Sequence, residues 1–288
     1  MTTDVLRYTA FTTRPDGGNP AGIVLDASAL SDGDMLKIAA DLGYSESAFL
    51  TPPPAEGGQG GQGERAYTLR FFSPKAEVSF CGHATVATAV ALAERHGTGD
   101  YLFHTPAGEV PVTVDHADGA LRATLTSVAP HVKDVRESDL AEALAALDWP
   151  AADLDPALPP RIAFAGNDHL VLAAATRERL ADLAYDFDRL AALMHRLDLT
   201  TIQLVYRTGE FTFDVRDPFP VGGVVEDPAT GAAAAAFGAY ARELGLVGEE
   251  SVLTLHQGDD LGRPGVLTVT LRAGDPRVRV SGSAVSLD

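Results

Sequence analysis

With 288 residues, 45% of them hydrophobic, the chain is long enough for two ordinary domains or one large one, each with a real apolar core. Its 22 Lys and Arg face 40 Asp and Glu, and the formal charge of −18 repels nucleic acid and anionic membranes, so neither is expected as a partner. The single cysteine, Cys81, excludes an intrachain disulfide framework and suits a reducing, cytoplasmic setting; neither a cleavable leader nor an apolar run of membrane-spanning length is read in the sequence.

Taken in order, Val5 to Phe11 reads as a strand, and a loop through Gly18-Asn19-Pro20 leads to a second strand at Gly22 to Leu25. Ser31-Asp32-Gly33-Asp34 is a helix start with an acid three residues after the serine, and Met35, Ile38, Ala39 and Leu42 carry helical spacing to Gly43, which predicts an outer helix. Tyr44 to Leu50 reads as a strand whose one charge, Glu46, sits among small and apolar neighbours. The stretch 52–63, PPPAEGGQGGQG, predicts a mobile loop without chemistry, and Arg65 to Phe72 a further strand.

From 77 to 97 the sequence EVSFCGHATVATAVALAERHG predicts a strand that breaks at Cys81-Gly82-His83 and enters a helix. From Ala84 to Ala93 no face of that helix is charged, so it is expected to be buried on all sides. Its first backbone N–H groups then form a natural anion seat, which Gly82 lets a ligand approach closely. Strands follow at Tyr101 to Thr105, Val110 to Val114 and Leu121 to Thr126. Helical periodicity at Ser138 to Leu147 and Phe187 to Leu197 is interleaved with strands at Ile162 to Ala165, His169 to Ala173, Ile202 to Tyr206 and Phe211 to Val215.

The strand-break-helix pattern returns at 223–245, GVVEDPATGAAAAAFGAYARELG, where Asp227-Pro228-Ala229-Thr230-Gly231 makes the break. Gly82 and Gly231 are 149 residues apart, as are Glu94 and Glu243, against a half-length of 144. This spacing predicts a duplication, with two helix N-termini pointing into one cleft if the halves face each other. The tail adds strands at Val252 to His256, Val266 to Leu271 and Arg277 to Val280 around a Gln257-Gly258 turn. The expected domains are 1–118, joined by about 277–288, and 119–276.

GNPAGIVL (18–25), YSESAFL (44–50), FFSPKAEVSFCGHATVATA (71–89), EDPATGAAAAAFGAY (226–240) and HQGDDLGRPG (256–265) together resemble the PhzF family, named for a phenazine-biosynthesis isomerase. The resemblance spans the whole chain. It implies an α+β fold like that of diaminopimelate epimerase and proline racemase, with two similar lobes, each a curled mixed sheet around a central helix. It also implies a homodimeric, cofactor-free isomerase acting on a small carboxylate substrate, of the trans-2,3-dihydro-3-hydroxyanthranilate type or another.

Residue by residue, the resemblance makes Glu46 the general acid/base that removes a proton from one carbon and returns it at another. His83 and Asp227 become substrate-orienting groups, against the plainer readings of a core histidine and a helix cap. Gly82, Gly231 and Ala232 would offer backbone N–H groups to the substrate carboxylate, with Ser45 and Asn19 as weaker contacts. Ala232 departs from the family pattern, which has Ser there, so one hydroxyl donor is missing. Related racemases use two facing cysteines, and one cysteine excludes that arrangement within a single chain; Cys81 is read as a small packing residue. The eight histidines do not cluster at metal-ligand spacing, and no phosphate-binding or dinucleotide glycine loop is present, so no metal and no cofactor are expected. The alternatives are an epimerase or dehydratase of the same fold, or a non-enzymatic small-molecule-binding protein. Retention of Glu46, His83 and Asp227 together favours an enzyme.

Overall fold

In the computed structural model, which describes residues 3–53 and 65–288, the chain divides into two units, Met1–Thr126 with Ser281–Asp288, and Ser127–Val280. Most of the glycine- and proline-rich stretch 52–63 lies outside the described residues. The first unit extends past residue 118 because the strands Gly108–Ala117 and Ala120–Thr126 form one antiparallel hairpin that a cut there would split.

The first unit contains β1 (Leu6–Ala10), β2 (Asn19–Val24), α1 (Asp32–Leu42), β3 (Glu46–Thr51), β4 (Ala66–Phe72), β5 (Glu77–Val78), α2 (Gly82–His96), β6 (Gly99–Thr105), β7 (Gly108–Ala117) and β8 (Ala120–Thr126). β1 and β2 are antiparallel, β2 and β3 parallel, β3 and β4 antiparallel, β4 and β6 parallel, and β6 to β8 an antiparallel meander. On the far side of β1 lie Ser281–Ser286, the last residues of the strand Asp275–Ser286. The Thr124 hydroxyl of β8 meets that of Ser281 at 2.9 Å, so the sheet curls until its two ends touch. Inside the curl, α2 packs on β1, β2, β3, β7 and β8, and every residue from His83 to Ala93 is buried, as a helix with no charged face requires. α1 lies outside, burying only Met35 and Ala39 against Val24, Phe49 and Phe72. Its capping box is formed: the Ser31 hydroxyl accepts from the Asp34 N–H, the Asp34 carboxylate accepts from the Ser31 N–H, and Gly43 ends the helix at φ +69°.

The second unit contains β9 (His131–Asp134), α3 (Glu137–Leu147), β10 (Arg161–Phe164), β11 (Asp168–Ala173), α4 (Arg177–Ala181), α5 (Phe187–Leu197), β12 (Leu199–Arg207), β13 (Thr212–Pro218), β14 (Glu226–Asp227), α6 (Gly231–Glu243), β15 (Ser251–Gln257) and β16 (Gly265–Arg272), and then enters β17 (Asp275–Ser286). β10 and β11 are antiparallel, β11 and β12 parallel, β12 and β13 antiparallel, β13 and β15 parallel, and β15 and β16 antiparallel. That is the order of pairings from β1 to β7. β14 repeats β5 in pairing antiparallel to the strand before it and leading into the buried helix. The duplication read from glycine spacing is thus present as repeated topology. α6 is wrapped by β9, β10, β11 and β16. On the outer face, α5 buries Leu190, Leu193 and Met194 against Leu144, Leu147 and Trp149.

Candidate active site

The break before α2 brings five of the sequence-predicted residues together. β2 and β3 run parallel with Ala21 opposite Glu46, so Asn19 and Glu46 sit at neighbouring strand starts beside the first turn of α2. Asn19 Nδ2 lies 3.1 Å from His83 Nδ1, and the Ser45 hydroxyl lies 3.5 Å from His83 Nε2. Glu46 Oε2 is 3.6 Å from the same Nε2. The His83 side chain is buried, whereas that of Glu46 keeps 13% exposure, so the carboxylate is the member that a substrate can reach. Burial pushes the His83 imidazole below its ordinary pKa, against the pull of the Glu46 charge and of a hydrogen bond with the Pro20 carbonyl. The ring is therefore held neutral, able to accept or donate one hydrogen bond.

Cys81, read from sequence as a packing residue, belongs to this cluster. Its Sγ lies 3.6 Å from Glu46 Oε2, 3.3 Å from His83 Nδ1 and 3.7 Å from Nε2. It is the N-cap of α2 but makes no side-chain cap bond, and no acid occupies the first turn, so the positive end of the helix at Gly82 is not neutralised from within. The Thr85 hydroxyl and N–H both donate to the Cys81 carbonyl and fix the turn.

The second break holds a separate polar group in the second unit. Asp227 does not cap α6; the N-cap is Thr230, whose hydroxyl donates to Asp227 Oδ2 at 2.6 Å. Gln257 ties the loop, accepting from the Thr230 N–H at 2.9 Å and donating to the Asp227 carbonyl at 2.9 Å and the Thr230 hydroxyl at 3.0 Å. Gly258 is needed beside it: at φ +86° a Cβ would lie 2.3 Å from the Arg263 carbonyl and 2.7 Å from that of Pro228. Gly231 and Ala232 open the first turn of α6, again with no acid among them.

Behind Asp227 stands Asp217, its antiparallel partner on β13. Asp217 Oδ1 accepts from the Thr201 hydroxyl at 2.9 Å, and that hydroxyl lies 2.8 Å from Nδ1 of buried His169. Burial, reinforced by the Asp227 and Glu226 charges and opposed by the Thr201 and Thr230 hydroxyls, raises the Asp217 carboxyl well above the usual carboxylate range. Burial also pushes His169 down to about 3. Arg216 clamps Glu226 with two bonds of 2.6 and 3.0 Å, both side chains buried, and donates to the Ala181 carbonyl. The sequence offered Gln257 only as a turn residue and gave no signal for Asp217, Thr201 or His169, because strand alternation marks a buried position without saying that a polar group fills it.

The model of the family described as phenazine biosynthesis-like protein (PhzC-PhzF) matches residues 8–288. The chain belongs to this family. An Escherichia coli K12 relative, the uncharacterized isomerase YddE, is 32% identical, with 100% of this chain and 97% of that one covered. A solved phenazine biosynthesis protein of the PhzF family from Bacillus anthracis superposes with TM-score 0.85 at 26% identity, over 99% of this chain and 96% of that one. A hydroxyproline epimerase from Agrobacterium vitis superposes with TM-score 0.63 at 11% identity, over 98% and 90%. At that identity the likeness is one of fold, and the fold of this phenazine biosynthesis-like chain is of the α+β class, with mixed sheets around buried helices.

Proposed function

We propose that this protein is an isomerase that moves a proton between two carbons of a small unsaturated carboxylate, with Glu46 as the single acid/base and no cofactor. The observation that carries the reading is Glu46 itself: a partly exposed carboxylate held 3.6 Å from a buried imidazole, beside a helix start with no acid in its first turn. In the proposed step the Glu46 carboxylate takes a proton from an sp³ carbon flanked by a double bond. The C–H electron pair becomes a new double bond, the old one shifts, and the same carboxyl returns the proton to the far carbon. No net electrons are lost and no co-reactant is consumed.

His83 hydrogen-bonds the substrate or steadies Glu46 as it changes charge, and the Gly82 N–H faces the substrate carboxylate. Asp227, with Gly231 and Ala232, is proposed as a substrate contact on the strength of the family resemblance, Ser45 and Asn19 as supports of His83. The relative named an isomerase supports the reaction class. The missing hydroxyl at Ala232 argues for a substrate whose carboxylate is content with backbone donors.

The test is to incubate wild type and Glu46→Gln with trans-2,3-dihydro-3-hydroxyanthranilate, and with a panel of small β,γ-unsaturated carboxylates, in D₂O, following deuterium and product by NMR. Deuterium appearing at the far carbon in wild type and lost in the variant is the expected result. Exchange confined to one carbon without migration would make the protein an epimerase, and exchange that survives Glu46→Gln would remove Glu46 from the mechanism.

A further inference from the structure

Two carboxyls face each other on the strand pair that leads into α6. Asp217 of β13 and Asp227 of β14 are direct antiparallel partners, and both are buried, Asp217 at 0% exposure and Asp227 at 5%. Directly opposite residues share a face of the sheet, with Cβ atoms about 4.5–5.5 Å apart. Buried like charges at that separation do not both form at neutral pH, so such a pair holds one proton unless a cation stands beside it. None stands beside Asp217. Arg216, the previous residue on β13, spends its guanidinium on Glu226 and the Ala181 carbonyl, and among the described residues Asp217 forms no ion pair. The other groups around the pair are Glu226, which only adds negative charge, His169, kept neutral by burial, the uncharged Thr201, Thr230 and Gln257, and the uncharged first turn of α6.

The hydrogen bonds seat the proton. The Thr230 hydroxyl accepts from Gln257 Nε2 at 3.0 Å, so its one hydrogen goes to Asp227 Oδ2 at 2.6 Å, and that oxygen is an acceptor. The Thr201 hydroxyl gives its one hydrogen to Asp217 Oδ1 at 2.9 Å, so the 2.8 Å contact with His169 is filled by an Nδ1–H. That leaves Asp217 Oδ2 and His169 Nε2, both buried and without a hydrogen-bond partner. An ionised Asp217 would place half its charge on that unpartnered oxygen, which a buried site penalises heavily, whereas a proton on Oδ2 removes the charge.

We infer that Asp217 is a positioning residue that carries, on Oδ2, the one proton of the Asp217–Asp227 pair, and so keeps a single negative charge at the second break, on Asp227. The proton needs only the geometry; its consequence for turnover rests on the proposed function, in which Asp227 contacts substrate. As pH rises and the pair loses that proton, a second charge forms behind Asp227, repels it, and displaces the contact. Asp217→Asn keeps the size and an oxygen for the Thr201 hydrogen, and it cannot form the second charge.

The test labels the aspartate side-chain carboxyls of the full-length protein with ¹³C and follows the carbon spectrum against pH. One aspartate carbon should keep the shift of a neutral carboxyl at neutral pH, where exposed aspartates are fully ionised, should titrate on further rise, and should be missing in Asp217→Asn. In a ¹⁵N-histidine sample, His169 should appear as the Nδ1–H tautomer. Wild type with every aspartate ionised at neutral pH overturns the inference without any variant, so a variant that fails to fold does not protect it. If Asp217→Asn keeps the neutral carbon, the proton sits elsewhere and the inference falls as well. A second arm runs the deuterium-exchange assay over the same pH range. Wild-type kcat/KM should fall about tenfold per pH unit once Asp217 loses its proton, and that of Asp217→Asn should hold level there. A merely structural Asp217 would leave the same alkaline fall in both proteins, and that result overturns the positioning role. The carbon spectra need no substrate, so their failure is distinguishable from an absence of exchange at every pH, which would sink the proposed reaction instead.

Discussion

Acid should loosen the second unit through His169. The ring is buried against Thr201, and burial lowers its pKa from 6.5 to about 3. An unfolded chain takes up the proton near the ordinary value, while the folded one resists until about 3. The residue's contribution is thus fully present above about pH 6.5 and is lost as pH falls toward the folded value, at about 1.4 kcal/mol per pH unit. Between about pH 6.5 and about pH 4.5 the loss is about 2 kcal/mol. Asp217, across the same threonine, has the opposite sign: its raised pKa gives stability at low pH that fades as pH rises above the ordinary carboxylate value. The wild-type curve alone mixes the two, so the comparison is with His169→Asn, which keeps a polar atom near Thr201 and does not titrate. Trp149 is the one tryptophan and lies buried in the core of this unit, so its fluorescence against urea reports this unit specifically. The stability of wild type relative to the variant should fall by about 2 kcal/mol between the two pH values. A difference that does not change with pH would refute the account of His169 as a buried neutral imidazole.

Other perturbations follow from the same geometry. Glu226→Gln strands the buried Arg216 guanidinium and should cost about 3–5 kcal/mol in the same urea experiment; a cost under about 1 kcal/mol would mean that the pair is effectively solvated. Asp227→Asn should lower kcat about a hundredfold or more while helix content by circular dichroism stays unchanged, because Thr230 and not Asp227 caps α6. Ala232→Ser, at a partly exposed position in the first turn of α6, adds a hydroxyl donor and should lower KM for a carboxylate substrate with little effect on kcat; an unchanged KM would remove this turn from carboxylate binding.

The elements that could be read from the sequence are those where periodicity and chemistry agree. α5 runs over the residues its apolar spacing marks, α1 starts at its capping box, and α2 is buried on all sides because nothing on it is charged. β9 escaped because its side chains are mostly exposed and show no alternation, and α4 because five residues are too few to establish a period. β17 continues well past Val280 because the added residues pair with β1, a contact some 275 positions away along the chain (284 − 10 = 274). The first cluster was legible as motifs but not as geometry. Spacing set Cys81 next to His83, yet only the parallel pairing of β2 and β3 puts Glu46 beside both. Asp217, Thr201 and His169 come from three strands, and no local pattern connects them.

The repeated topology sharpens the case for a single base. If the two units shared the chemistry, equivalent positions should carry equivalent side chains. They do not. Aligned through the pairings of β4 and β13, Glu46 of β3 corresponds to Thr201 of β12, so no carboxylate recurs at that position. The helix start Cys81-Gly82-His83 corresponds to Thr230-Gly231-Ala232, so only the glycine and the helix N-terminus recur, while thiol and imidazole are replaced. What the repeat preserves is the glycine at an open helix N-terminus, a backbone property that survives side-chain change, and what differs is the side chains that the proposed proton transfer needs. Loss of deuterium exchange in Glu46→Gln should accordingly be complete. A variant retaining about half the wild-type rate would mean that a second base works in parallel, at a position the repeat does not mark.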